Sequence, residues 1–122
     1  MISKETIEKA LEFRDQRDWK QFHNAKDLAI SLCLEASELL EIYQWSADDL
    51  YCKEKIAKVA EELADVLMYS IDIADAYGLD MDEIILAKLK RNAEKYPVSK
   101  SYGSKAKYSE LKLQAKEKEG RG

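Results

Sequence analysis

The sequence predicts an all-α protein, an antiparallel four-helix bundle, and three observations carry that expectation. Breakers are rare: the 122 residues include one Pro and four Gly, and three of those Gly fall after residue 100, so long helices joined by short turns are expected. Apolar residues recur at spacings of three and four, the period of one helix face. Capping residues stand just ahead of the periodic stretches, with Ser3 before the first and Asp80 before the last.

Helix one follows Ser3, with Glu5 and Thr6 in its first turn and Ile7, Ala10, Leu11 and Arg14 along one side, and runs to about Arg17. Asp18 to Asn24 is an aromatic-rich connector without periodicity. Helix two starts near Asn24 or Lys26 and reaches about Tyr43 or Trp45, and a turn at Ser46-Ala47-Asp48-Asp49 follows. Helix three is the longest, from about Cys52 to Tyr77, and stops at Gly78, the usual left-handed cap. Asp80 caps helix four, with Glu83 three residues later, and that helix ends before Pro97. Residues 1–97 form the helical domain. Residues 98–122 are read as a loop, a short helix near Tyr108 to Leu113, and a charged tail from Lys116.

Composition narrows the function classes. The net charge of −4 gives no basic footprint for a nucleic-acid polymer. No apolar run approaches the ~18 residues that span a bilayer, and the mixed charges of Met1 to Glu5 do not read as a signal peptide. Cys33 and Cys52 match neither a zinc motif nor a disulfide framework, and Cys33 is expected to pack within its helix. A cytoplasmic protein is expected.

The chemistry-bearing stretch is Cys33 to Glu41, answered by Glu61-Glu62-Leu63-Ala64-Asp65. Leu28, Leu32, Glu35, Leu39 and Ile42 step by four and three, so Glu35 stands inside an apolar stripe. An ionised carboxylate there needs a cation, a metal or hydrogen-bond donors. Glu38 lies at the edge of that arc and Glu41 further round. On helix three a helical wheel puts Glu62 at the edge of the apolar arc. Asp65 falls nearly opposite its centre, beside Glu61 and Asp72, as on a solvated acidic face. If the two acidic pairs face each other, they form an all-oxygen ligand set suited to Mg²⁺, Mn²⁺ or Ca²⁺. Such a set leads to metal-dependent phosphate chemistry.

Glu35-x-x-Glu38 followed by Glu62-x-x-Asp65 resembles the signature of the MazG-like, all-α nucleoside triphosphate pyrophosphohydrolases. Three further motifs resemble the dCTP pyrophosphatase branch of that family: Arg17-Asp18-Trp19-x-x-Phe22-His23, Tyr43-Gln44-Trp45, and Lys88-x-x-x-Asn92-x-x-Lys95-Tyr96-Pro97. The resemblance covers about residues 5 to 104. It implies hydrolysis of a (d)NTP to (d)NMP and pyrophosphate with Mg²⁺, for which Mn²⁺ can substitute. Pyrimidine deoxynucleotides such as dCTP or modified dCTP are the implied substrates, with nucleotide-pool sanitation as the role. Glu35, Glu38, Glu62 and Asp65 are then the metal ligands, with Glu35 and Glu38 catalytic and Glu38 preferred for activating water. Lys88, Asn92, Lys95 and Tyr96 are implied to face phosphate and sugar, and Ser104 is a weaker phosphate candidate.

Trp19, Phe22, His23 and Trp45 are candidates to hold the base by stacking and edge contacts, although Trp19 and Phe22 could instead plug the end of the bundle. His23 matches the position implied to read a pyrimidine. Asn24-Ala25-Lys26-Asp27 departs from the family by replacing a proline-containing stretch, which bears on the start of helix two. A homodimer or homotetramer is expected, because four-helix folds of this size bury their remaining apolar faces by association. Two other readings compete. One is a non-catalytic interaction module with an acidic docking face, and the other is a phosphoribosyl-ATP pyrophosphohydrolase, against which Trp19, His23 and Trp45 argue.

Overall fold

Each long helix begins where a side chain can satisfy its first free amides. In the computed structural model, which describes residues 2–103, Ser3 Oγ accepts from the Thr6 amide at 3.2 Å and starts α1, Lys4–Gln16. Asn24 Oδ1 accepts from the Asp27 amide at 2.9 Å while its Nδ2 donates to Asp27 Oδ2 at 2.7 Å. This reciprocal cap starts α2, Ala25–Glu41, and does so without the expected proline. Between α1 and α2, Trp19–Phe22 form a single 3₁₀ turn after Asp18, which takes positive φ.

α2 ends at Glu41, earlier than the sequence indicates, because Ile42 to Trp45 continue as turns. The linker that follows is tied down by its own side chains. Ser46 Oγ lies 3.0 Å from Tyr43 O and 2.7 Å from Asp49 O, and Asp49 Oδ1 accepts from the Cys52 amide at 3.0 Å. Cys52 is the buried cysteine and Cys33 is exposed on α2, the reverse of the expectation for Cys33. The Cys52 thiol packs 3.6 Å from Ile42 O, inside the turn rather than on a helix face.

α3, Ile56–Ala76, ends in a paired carbonyl cap: the Leu79 amide reaches Ala74 O at 2.8 Å and the Gly78 amide reaches Asp75 O at 3.1 Å. α4 covers Met81–Lys95. Val98–Ser101 form one helical turn, α5, where a loop is expected, because Pro97 supplies a preset φ of −62° ahead of it. The expected helix at Tyr108 to Leu113, the charged tail and Ser104 lie outside the described residues. The described residues contain helices and no strand, and none of the helices is long and apolar enough to cross a membrane.

The chain divides into two compact units, residues 1–81 and 82–122. Within the first, α2 and α3 are the principal packed pair and α1 packs on α3. Leu28, Ile42, Cys52, Ile71 and Ala74 are its buried apolar residues, joined by two buried charges, Arg14 and Glu62. Leu34, Leu40, Leu63 and Leu67 remain exposed on α2 and α3.

Gly78 sits at φ +65°, in the region that L side chains avoid. Gly78→Ala is expected to cost about 1 kcal/mol, read as a lower urea midpoint with an unchanged slope. An unchanged midpoint would show that the end of α3 does not depend on this cap.

Candidate active site

The site begins with the facing surfaces of α2 and α3. Glu35 stands in the apolar stripe of α2, and Glu38 lies one turn later on the same side. Glu62 and Asp65 are the corresponding neighbours on α3. Glu35, Glu62 and Asp65 each offer a carboxylate oxygen, and these three atoms lie within 4.8 Å of one another. Glu62 is 5% exposed, and its Oε1 accepts from Lys58 Nζ at 2.9 Å. That ammonium, hydrogen-bonded one turn back on the helix, holds the Glu62 carboxyl below its usual range.

One lysine does not satisfy this many oxygens. Glu35 Oε2 and Glu62 Oε2 are both buried and have no hydrogen-bond partner. Buried carboxylate oxygens without donors are costly, and a shared cation relieves several at once. The donor set is oxygen only, which fits hard divalent cations such as Mg²⁺, Mn²⁺ or Ca²⁺ and disfavours the softer metals. Glu38 is the exposed member of the group. A proton shared with Glu35, then with Glu62, pushes its carboxyl up to about 7, reinforced by the neighbouring negative charge.

The carboxylates open into a cavity of about 240 Å³ whose walls include Phe13, Trp19, His23, Glu35, Asp65 and Asp72. Phe13 and Trp19 meet edge to face, with centroids 5.7 Å apart, and the Arg17 guanidinium lies 3.7 Å over the Phe13 ring. Arg14, 5% exposed, also lines the cavity and donates to Asp15 at 2.9 Å and Asp75 at 2.8 Å. Asp72 is held 3.9 Å from Arg14 and 3.9 Å from His23 Nδ1. Burial raises its pKa, against the pull of His23 and Arg14.

The structure thus brings Trp19, His23, Glu35 and Asp65 to one cavity, with Glu38 and Glu62 joined to Glu35 beside it. Asp65 and Asp72 are half-buried and corrected from the acidic face that the wheel suggested, whereas Glu61 is exposed as expected. Phe22 is exposed and does not line the cavity, and neither does Trp45, which is 87% exposed. Lys88, Asn92, Lys95 and Tyr96 belong to the second unit, where Asn92 O accepts from the Tyr96 amide at 2.8 Å. Sequence reasoning did not single out Lys58, Phe13 or Arg14 for the site. Arg14 carried a usable signal, a lone charge in the stripe Ile7, Ala10, Leu11, Arg14.

The model of the MazG-like family matches residues 30–111. The chain is 36% identical over 105 residues to dCTP pyrophosphatase 1 of Mus musculus, covering 82% of this chain and 62% of that protein. It is 35% identical over 105 residues to the Homo sapiens protein of the same name, with the same coverage. The chain therefore spans 62% of the length of these curated relatives. Its fold matches the crystal structure of a pyrophosphatase from Archaeoglobus fulgidus with a TM-score of 0.72 and 37% identity, over 76% of this chain and 90% of that one.

The elevated Glu38 carboxyl has a direct consequence for stability. A pKa raised from 4.5 to about 7 on folding favours the fold fully below the lower value, and that contribution is lost as pH rises through the higher one. The metal-free protein is expected to lose melting temperature across this interval. Saturating Mg²⁺ should flatten the profile by displacing the proton. A metal-free profile that is already flat, measured by thermal melts, would contradict the shared proton.

Proposed function

The chain belongs to the MazG-like family, and on that footing we propose that it is a nucleoside triphosphate pyrophosphohydrolase. The substrate would be a pyrimidine deoxynucleotide such as dCTP, in line with the names of its relatives. The observation that carries the reading is the cluster of Glu35, Glu62 and Asp65, two of which, Glu35 and Asp65, line an aromatic-walled cavity of nucleobase scale.

Glu35, Glu38, Glu62 and Asp65 would hold Mg²⁺. When bound, Mg²⁺ supplies positive charge against the phosphate oxygens and makes water a better nucleophile. The chain's own groups do the rest. Glu38, open to solvent at the edge of the cluster, accepts the proton of the attacking water. The water oxygen bonds to the α-phosphorus, the bond from that phosphorus to the bridging oxygen breaks, and pyrophosphate leaves with the electron pair. Glu62 is buried, and Glu35 is half-buried at the cavity wall with one oxygen out of reach of solvent; both fix the cluster, while Lys58 orients Glu62. Phe13 and Trp19 offer ring surfaces to the base and His23 a polar edge. Lys88, Asn92, Lys95 and Tyr96 are proposed, by family resemblance, to serve the phosphates and sugar.

The exposed leucines of α2 and α3 support self-association as a homodimer or homotetramer. Sedimentation equilibrium should return two or four times the 14.0 kDa chain mass; a monomer at micromolar concentration would remove this part of the proposal.

Incubation with a (d)NTP panel and Mg²⁺ should yield monophosphate and pyrophosphate. Diphosphate and inorganic phosphate would overturn the reading. Glu38→Gln should lower kcat by about 10²-fold or more while leaving the circular dichroism spectrum intact, and full activity in that variant would take Glu38 out of the chemistry.

A further inference from the structure

The cavity has a second polar end that the proposed hydrolysis does not use. Asp65 and Asp72 both line it, and both stand on α3, seven residues apart. That separation is about 10.5 Å along the helix axis, enough for a sugar and one ring between the carboxylate cluster and Asp72. The Asp72 side chain is 12% exposed, and its oxygens make no hydrogen bond within the first unit: Arg14 and His23 Nδ1 each stop at 3.9 Å. His23 Nδ1 is itself buried without a partner. Arg14 is engaged by Asp15 and Asp75 at bonding distance, so Asp72 is not needed to complete its shell. The result is a carboxylate at the far wall of a cavity, supported by positive charge yet left with acceptor capacity facing inward.

We propose that Asp72 is a specificity-determining residue that accepts a hydrogen bond from the exocyclic amino group of a 4-aminopyrimidine base lodged against Phe13 and Trp19. The inference rests on the reaction proposed above and names the base that it selects. A carboxylate pairs with the N4 amino group of cytosine, whereas the O4 carbonyl of uracil or thymine presents a second acceptor to it. A buried polar group that is left unpaired, or set against a like group, rejects the wrong substrate more strongly than a missing apolar contact does. The cavity, at about 240 Å³, is below the roughly 300–1,000 Å³ of sites that enclose drug-sized ligands. It therefore suits the base end of a nucleotide rather than the whole molecule.

The test compares dCTP with dUTP, in which O4 and N3–H replace the N4 amino group and the bare N3 of cytosine. The wild type should favour dCTP in kcat/KM, and Asp72→Asn should shrink that ratio by about tenfold or more, mainly through KM for dCTP. An unchanged ratio would overturn the proposal. So would equal losses on both nucleotides with a lowered melting temperature, which is what a purely structural Asp72 predicts. Calorimetry with the wild-type protein keeps the question independent of folding in the variant. dCMP should bind more tightly than dUMP, and N4,N4-dimethyl-dCMP, which lacks both amino hydrogens, should lose the advantage. Absence of a dCMP preference overturns the role of Asp72 whatever the turnover. A dCMP preference in a protein that hydrolyses no triphosphate would sink the proposed reaction and leave the base-reading role standing.

Discussion

The first unit is built around more buried carboxylate than its own cations can neutralise. Glu35 and Glu62 each bury an oxygen with no donor, and Lys58 engages only the other oxygen of Glu62. In an apolar setting such an arrangement is expensive unless something charged completes it. Packing α2 against α3 is what creates the problem, because Glu35 lies in the stripe that α2 turns inward and Glu62 is the most deeply placed acid of α3. The stability of the helix pair and the chemistry of the site are therefore two aspects of one contact.

α3 does more than hold ligands. Its inward face carries Glu62 and Asp65, then Tyr69 and Asp72, so acidic cluster and cavity follow the same rigid rod. Residues on one helix keep their spacing, which makes α3 a fixed ruler between the carboxylates and the opposite cavity wall. α1 supplies the lateral wall through Phe13, and the 3₁₀ turn after it contributes Trp19. The left-handed Asp18 between them reverses the chain closely enough for the two rings to meet.

Much of this is legible in the sequence, for identifiable reasons. Ser3 and Gly78 announce helix ends because their local chemistry is sufficient by itself. Glu35 is conspicuous because the stripe around it has a single apolar face. Asp65 and Asp72 are hidden for the opposite reason. α3 is apolar on two sides, and a wheel centred on all its apolar residues points between them. Leu63 and Leu67 stay exposed, while the side that packs carries Glu62, Asp65 and Val66. Cys52 is likewise beyond periodicity, since a positive φ and a turn, not a helix face, bury its thiol. Arg14 interrupts an apolar stripe just as Glu35 does, and the acids near it, Asp72 and Asp75, lie 58 and 61 residues away, out of reach of local reasoning.

Glu35, Glu62 and Asp65, with Glu38, are proposed to form one divalent-cation site. Diffraction from crystals grown with Mn²⁺ and a non-hydrolysable dCTP analogue, recorded at the manganese absorption edge, examines it directly. An anomalous peak is expected among these carboxylates, with the analogue's phosphates beside it. Anomalous density elsewhere, or none with the analogue bound, would contradict it.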